Sequence, residues 1–150
     1  IESLRDLNRR FGISLIYITH DLTTAYQLSE NIVVLYRGAV AEAGDVERVV
    51  KEPEHPYTRL LIGSIPRPDP KHHWGIKEKA PDTTSNNGTG AAGPQGCHFA
   101  DRCPNVMAMC REKPPPLYQT APHRATACYL YRDSPVAAPE KLSEIFVARA

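Results

Sequence analysis

The sequence predicts an α/β chain that gives way, past its middle, to a small irregular four-cysteine unit suited to metal. Three observations carry that reading. Large apolar residues are concentrated before about residue 66, in alternating helical and strand-like runs. Beyond that point Pro, Gly and polar residues dominate, leaving too poor a core to stand without a staple. All four cysteines, Cys97, Cys103, Cys110 and Cys128, fall in this second part.

The elements follow in order. Leu4, Leu7 and Phe11 recur at helical spacing and predict a helix over 2–11, closed by Gly12, where a positive φ is cheap. Ile13 to Ile18 is β-branched and apolar, which predicts a strand covered on both faces, as in a parallel sheet. A helix is expected over 21–30, with Leu22, Ala25 and Leu28 inward. Residues 32–36 form the next strand, and Arg37-Gly38 turns the chain into a short strand over 39–43 that Gly44 ends. Asp45 can cap a helix through Val46, Val49 and Val50. Pro56 can open another, burying Leu60, Leu61 and Ile65. Residues 67–96 read as a linker: 81–96 carry no large apolar side chain. The cysteine unit occupies 97–133. In the tail, 134–150, Pro139 can start a last helix along which Leu142, Ile145, Phe146 and Arg149 fit.

The 150 residues allow one ordinary domain or two small ones. With a net charge of +1 and no basic stripe, nucleic acid is not implied. No apolar run approaches the ~20 residues of a membrane span. The chain opens on Ile1, inside a helical pattern, so a piece of a longer protein is expected, and the lack of a visible signal peptide says little.

His20 stands two residues past the end of the expected strand at 13–18. Ligands of open α/β sheets bind outside the carboxyl ends of strands, so His20 is either a side chain reaching a phosphate or a loop histidine bonding nearby backbone. The segment Leu15-Ile16-Tyr17-Ile18-Thr19-His20-Asp21-Leu22 resembles the switch segment of ABC-transporter ATPases. Residues 28–44 resemble the strand, turn and strand that follow it in that family. Glu52-Pro53-Glu54-His55-Pro56-Tyr57-Thr58-Arg59-Leu60-Leu61 resembles the branch that imports peptides and nickel. The resemblance implies that His20 contacts the γ-phosphate of ATP and helps hold the attacking water, beside a glutamate on a preceding strand. The chain departs from the family pattern in lacking a G-x-x-x-x-G-K-[ST] loop, the signature segment and the strand bearing that glutamate. The 150 residues alone are therefore expected to be inactive, while the intact subunit would bind ATP and Mg²⁺.

The cysteines are spaced C-x5-C-x6-C-x17-C. Buried free thiols, disulfides and a metal are all compatible with four cysteines. Zinc knuckles place two ligands on one tight turn as C-x2-4-C, and the wider gaps here suit a bulkier centre better. Gly96-Cys97-His98-Phe99 and Arg102-Cys103-Pro104 resemble the C-terminal extension of the same peptide-importer ATPases. That resemblance implies a [4Fe–4S] cluster on Cys97, Cys103, Cys110 and Cys128, with zinc as the alternative. Arg102, Arg111, Lys113 and His98 can offset an anionic centre or be solvated charges. A metal there would supply stability that the local core cannot.

Together these readings imply residues 1–66 as the C-terminal part of a P-loop ABC ATPase domain and the rest as linker, metal-binding extension and tail. The resemblance further implies a second ABC ATPase subunit, two transmembrane permease subunits and an extracytoplasmic solute-binding protein as partners, and the cytoplasmic face of the membrane as location. The competing class is a non-enzymatic zinc- or cluster-binding interaction module.

Overall fold

The computed structural model describes residues 2–65 and 95–147. Most of the expected linker, and Arg149 of the expected tail helix, lie outside the described residues.

Helix α1 (Glu2–Phe11) ends as its sequence dictates: Gly12 takes φ +61° and its N–H closes onto Asn8 O at 2.9 Å. The strand expected at 13–18 does not form. A parallel strand needs ladder partners on its flanks, and among the described residues every strand is paired elsewhere. The run stays uncovered, with Ile16 93% and Ile18 92% exposed. Helix α2 (Leu22–Leu28) is shorter than expected, and Leu22, Ala25 and Leu28 are only half-buried.

The hairpin is local chemistry. Strands β1 (Asn31–Tyr36) and β2 (Ala39–Asp45) pair antiparallel around Arg37 and Gly38. These two residues have φ of 48° and 79°, the type I′ turn whose twist matches its strands. Gly44 does not end β2 but lies within it, at φ +143°, where a Cβ would sit 2.2 Å from His123 O. The close approach of backbone to backbone demands glycine there. Asp45 caps helix α3 (Val46–Lys51), its Oδ1 accepting from Arg48 N at 3.1 Å.

Helix α4 (Pro56–Gly63) starts at its proline, but its buried residues are Pro56 and Thr58; Leu60 is 40% exposed. The fully buried contact is made by the N-terminal half of the helix, so of the predicted stripe Leu60 is exposed and Leu61 and Ile65 are only half-buried. Val34, Ala41 and Val49 form one core cluster, with Ile32, Tyr57 and Leu61 against it.

The chain beyond the linker is not a separate irregular appendix. After the short helix α5 (Met109–Glu112), strands β3 (Tyr118–Ala121) and β4 (Arg124–Thr126) join the hairpin in one antiparallel sheet of order β1-β2-β4-β3. Glu42 pairs with Thr126, Ala43 with Ala125 and Gly44 with Arg124. The α/β class stands, with an antiparallel sheet. The tail element Pro139–Ile145 is a 3₁₀ helix, not an α-helix. It seats Ile145, 1% exposed, on Ala43 and Ala125. Asn31 then brackets the chain end: its Nδ2 donates to Val147 O (2.9 Å) and its Oδ1 accepts from Val147 N (2.8 Å).

Candidate functional site

A buried polar latch joins the two parts of the chain. Glu42, on β2, is fully buried, and its carboxylate accepts from Glu54 N (3.1 Å), His55 N (3.0 Å) and Arg124 Nη2 (2.9 Å). Arg124, 5% exposed, also donates to Glu52 O and pairs through Nε with Glu54 at 3.4 Å, a charge contact without a hydrogen bond. Glu54 Oε2 accepts from Thr120 Oγ1 (2.7 Å) and Thr126 Oγ1 (2.6 Å). Burial raises the Glu42 carboxyl above its ordinary value even though its three partners oppose the shift. A buried charge is tolerated only when so fully partnered.

The same latch presents His55. Glu42 fixes the backbone entering α4, and His55 Nδ1 caps the helix by accepting from Tyr57 N at 3.0 Å. The ring is 3% exposed, and burial pulls it down to about 4, so it is neutral and Nδ1 is free to accept. Tyr57, Tyr36 of β1 and Phe99 stack with centroids 4.6 to 5.6 Å apart, and Phe99 also lies 5.9 Å from His55. His98 Nδ1 sits 3.1 Å from Arg37 O at the hairpin tip. The two sequence motifs, His-Pro-Tyr and Gly-Cys-x-Phe, are thus two sides of one contact.

All four cysteines are free thiols. Gly96 lets the first approach the third: Cys97 N donates to Cys110 O at 2.7 Å, where a Cβ on residue 96 would meet that same oxygen at 2.3 Å. Gly96 is therefore buried and belongs to the cysteine unit, not to the linker. The thiols share one electrostatic neighbourhood. Burial first, then the charges that Cys103, Cys97 and Cys110 would carry, push Cys128 up to about 11. Burial also raises Cys97 and Cys103; Cys110 adds to both, and Cys97 adds to Cys103. Each sulfur meets backbone N–H groups: Phe99 and Ala100 at Cys97, Asn105 at Cys103, Met107 at 3.5 Å from Cys110, and Leu130 at Cys128. Such donors favour thiolate once something offsets its charge.

The expected metal centre is not, however, ready-made. Among the described residues no group of three or more His, Cys, Asp or Glu side chains is placed to hold a metal ion. Electrostatic reach is longer than ligation distance, so thiols that feel one another's charge need not form a ligand set. A tetrahedral zinc with Zn–S of about 2.3 Å would need its sulfurs about 3.8 Å apart. A four-iron cubane carries its thiolates on outer corners and wants them wider. Four thiolates are a donor set that either centre uses. Of the expected flanking cations, Arg111 is engaged with Asp101 at 2.8 Å.

His20 is exposed. Its neighbours tie the turn: Asp21 N donates to Thr19 Oγ1 (3.0 Å), and Asp21 caps α2 by accepting from Thr23 N (2.9 Å) and Thr24. The Thr24 hydroxyl, with these amides, holds the Asp21 carboxyl below its ordinary value. His20 is left to line an open cleft of about 400 Å³ with Leu22, Thr23, Leu61 of α4 and, just past that helix, Ser64 and Ile65. The structure does not bring His20 together with the cysteines. Sequence reasoning missed Glu42, Arg124 and the capping role of His55. Only the last had a local signal, a polar residue directly before a helix-opening proline.

Residues 41–110, which span Glu42, His55 and the first three cysteines, match the family described as the oligopeptide/dipeptide transporter C-terminal region. Through these residues the chain carries a region similar to that family's. A Bacillus subtilis protein named as an oligopeptide transport ATP-binding protein is 34% identical over 139 residues, covering 89% of this chain and 40% of the relative. A Brucella abortus protein named as a peptide import ATP-binding protein is 35% identical over 131 residues, 87% of this chain and 37% of the relative. A Brucella ovis protein of the same description is 34% identical over 128 residues, with 85% and 39% covered. The chain thus spans about two fifths of the length of these relatives. No described helix is long and apolar enough to cross a membrane.

Proposed function

We propose that this chain forms the C-terminal portion of the ATP-hydrolysing subunit of a peptide importer and carries a [4Fe–4S] centre on Cys97, Cys103, Cys110 and Cys128. The observation that carries the reading is the match over residues 41–110, within which Phe99 of the cysteine unit docks on Tyr57 of the His-Pro-Tyr motif. In the intact subunit His20 contacts the γ-phosphate and orients water, and the exposed ring on a tied turn supports this. The subunit pairs with a second ATPase subunit and with two membrane permeases at the cytoplasmic face, served by an extracytoplasmic binding protein. The cluster would supply charge and cross-linking to a segment with little core. The chain's own residues supply the thiolates, the N–H donors that stabilise them and the aromatic dock.

Anaerobically purified chain should be brown, with broad absorption near ~400 nm and about four iron and four sulfide per chain. Colourless, folded protein with one zinc would sink the cluster reading. In an intact subunit, His20→Ala should lower turnover by about 10²-fold and spare nucleotide binding; unchanged turnover would make His20 an ordinary loop residue.

A further inference from the structure

We infer that Asp21 is the positioning residue for His20: its carboxylate anchors the turn that carries the histidine instead of pairing with the ring. This rests on the role proposed for His20 above. An aspartate beside a working histidine has two ways to matter. It can hydrogen-bond the imidazole and set its tautomer, as in hydrolase triads. Or it can hold the backbone from which the imidazole projects. The two differ in where the carboxylate oxygens go.

In this chain both oxygens serve the first turn of α2. Oδ1 accepts from Thr23 N (2.9 Å) and Thr24 N (3.4 Å), and Oδ2 accepts from Thr24 Oγ1 (2.5 Å). The Asp21 carbonyl accepts from Ala25 N (3.1 Å), the first backbone bond of the helix. On the other side the Asp21 N–H donates to Thr19 Oγ1 (3.0 Å), closing a bond across His20. The histidine therefore sits between two residues tied to each other, one of which is locked onto α2. So held, His20 faces the cleft it shares with Leu61, Ser64 and Ile65. A group that must meet a reacting atom loses on the order of 10²-fold in rate when displaced by about 1 Å. Without its cap the turn would hold the productive position only part of the time, for which a loss of about tenfold is expected.

The test measures turnover of ATP with Mg²⁺, and ATP affinity, in the intact subunit carrying Asp21→Ala, Asp21→Asn, His20→Ala or Asp21→Ala with His20→Ala. Asp21→Ala should lower turnover about tenfold at unchanged affinity. Asp21→Asn keeps an oxygen for the Thr23 and Thr24 amides and should recover most of that loss. In the His20→Ala background Asp21→Ala should change turnover by less than about twofold, because nothing is left to position. Equal losses in Asp21→Asn and Asp21→Ala would show that the charge itself is needed and overturn the anchor. A loss of about tenfold repeated in the His20→Ala background would make Asp21 a helix cap and nothing more. Normal turnover in Asp21→Ala beside a depressed His20→Ala would overturn this inference and leave the role of His20 standing. Normal turnover in His20→Ala would overturn both. If Asp21→Ala fails to fold, Thr24→Val takes its place, removing only the hydroxyl that bonds Oδ2: turnover should fall, with no further fall in the His20→Ala background, and unchanged turnover would rule the anchor out.

Discussion

Replacing Arg124 with methionine should destabilise the chain by about 3 kcal/mol. Truncating one partner of a buried ion pair costs about 3–5 kcal/mol, chiefly because the other charge is stranded. Here the lower end applies. Glu42 would keep two backbone donors, Glu54 N and His55 N, and its raised carboxyl could take up a proton at modest cost. Glu54 would keep both threonine hydroxyls, while Glu52 O would lose the Arg124 donor. Removing both charges in Glu42→Gln/Arg124→Met should cost about 2 kcal/mol less than the sum of the single variants, as expected for residues in one network. Urea unfolding followed by circular dichroism reads this directly: at a slope of about 2 kcal/mol per molar, the Arg124→Met midpoint falls by about 1.5 M. A loss below about 1 kcal/mol, additive with Glu42→Gln, would refute the latch as a joint between hairpin and extension.

Acid should weaken the fold through His55. Its folded value of about 4 lies below the ordinary 6.5, so the stability it contributes is whole above 6.5 and is lost as pH falls from 6.5 through 4, by about 3 kcal/mol at most. Glu42 is shifted upward from 4.5, and its contribution is instead lost as pH rises above that, so the two oppose each other just above 4.5. His55→Asn should remove the acid-side loss in stability-versus-pH curves; an unaltered curve would assign it to another group. In metal-free chain, Cys128, pushed up to about 11, should react with iodoacetamide at pH 8 roughly 200-fold more slowly than an unperturbed thiol, by its thiolate fraction. Peptide mapping of the alkylated chain measures this, and labelling of Cys128 at the ordinary rate would show that the thiol is not held neutral.

What was legible in the sequence was local. The Arg37-Gly38 turn, the Asp45 cap, the Gly12 stop and the Pro56 start are each set by residues within a few positions, and all four form. The elements that failed depend on distant chain. Ile13 to Ile18 has the composition of a buried strand, but a strand exists only when its ladder is filled. Strands β3 and β4 went unread because Tyr118–Ala121 and Arg124–Thr126 carry few large apolar groups. What fixes β4 is pairing with Glu42–Gly44, about 80 residues back, and β3 in turn pairs with β4. Arg124 carries no local signal of its role. Its meaning lies in Glu42, 82 residues away, which no periodicity could supply. The cysteines were legible as a set because thiol chemistry is rare enough to stand out. That all four reach one neighbourhood follows only from the fold.

The shared sheet changes what a metal would have to do. The sequence alone assigns the whole of 97–133 to a unit without a core, for which a metal is the natural staple. In the structure its second half needs none. Tyr118–Ala121 and Arg124–Thr126 are laddered to the hairpin, Arg124 and Thr126 are locked into the latch, and Ile145 covers Ala125 from the far side. Cys128 therefore stands on a fixed platform, two residues past the end of β4. The first half differs. Between Gly96 and Lys113 only a 3₁₀ turn at Ala100–Arg102 and the four residues of α5 are regular, and Phe99 is the one large buried apolar side chain. Cys97, Cys103 and Cys110 all sit in this part. A four-thiolate centre would then draw three ligands from a weakly held loop onto one from the sheet. Its stabilising effect would fall on residues 96–113, and because Phe99 stacks on Tyr57, order there would be felt directly at the start of α4, the helix whose other end lines the cleft of His20.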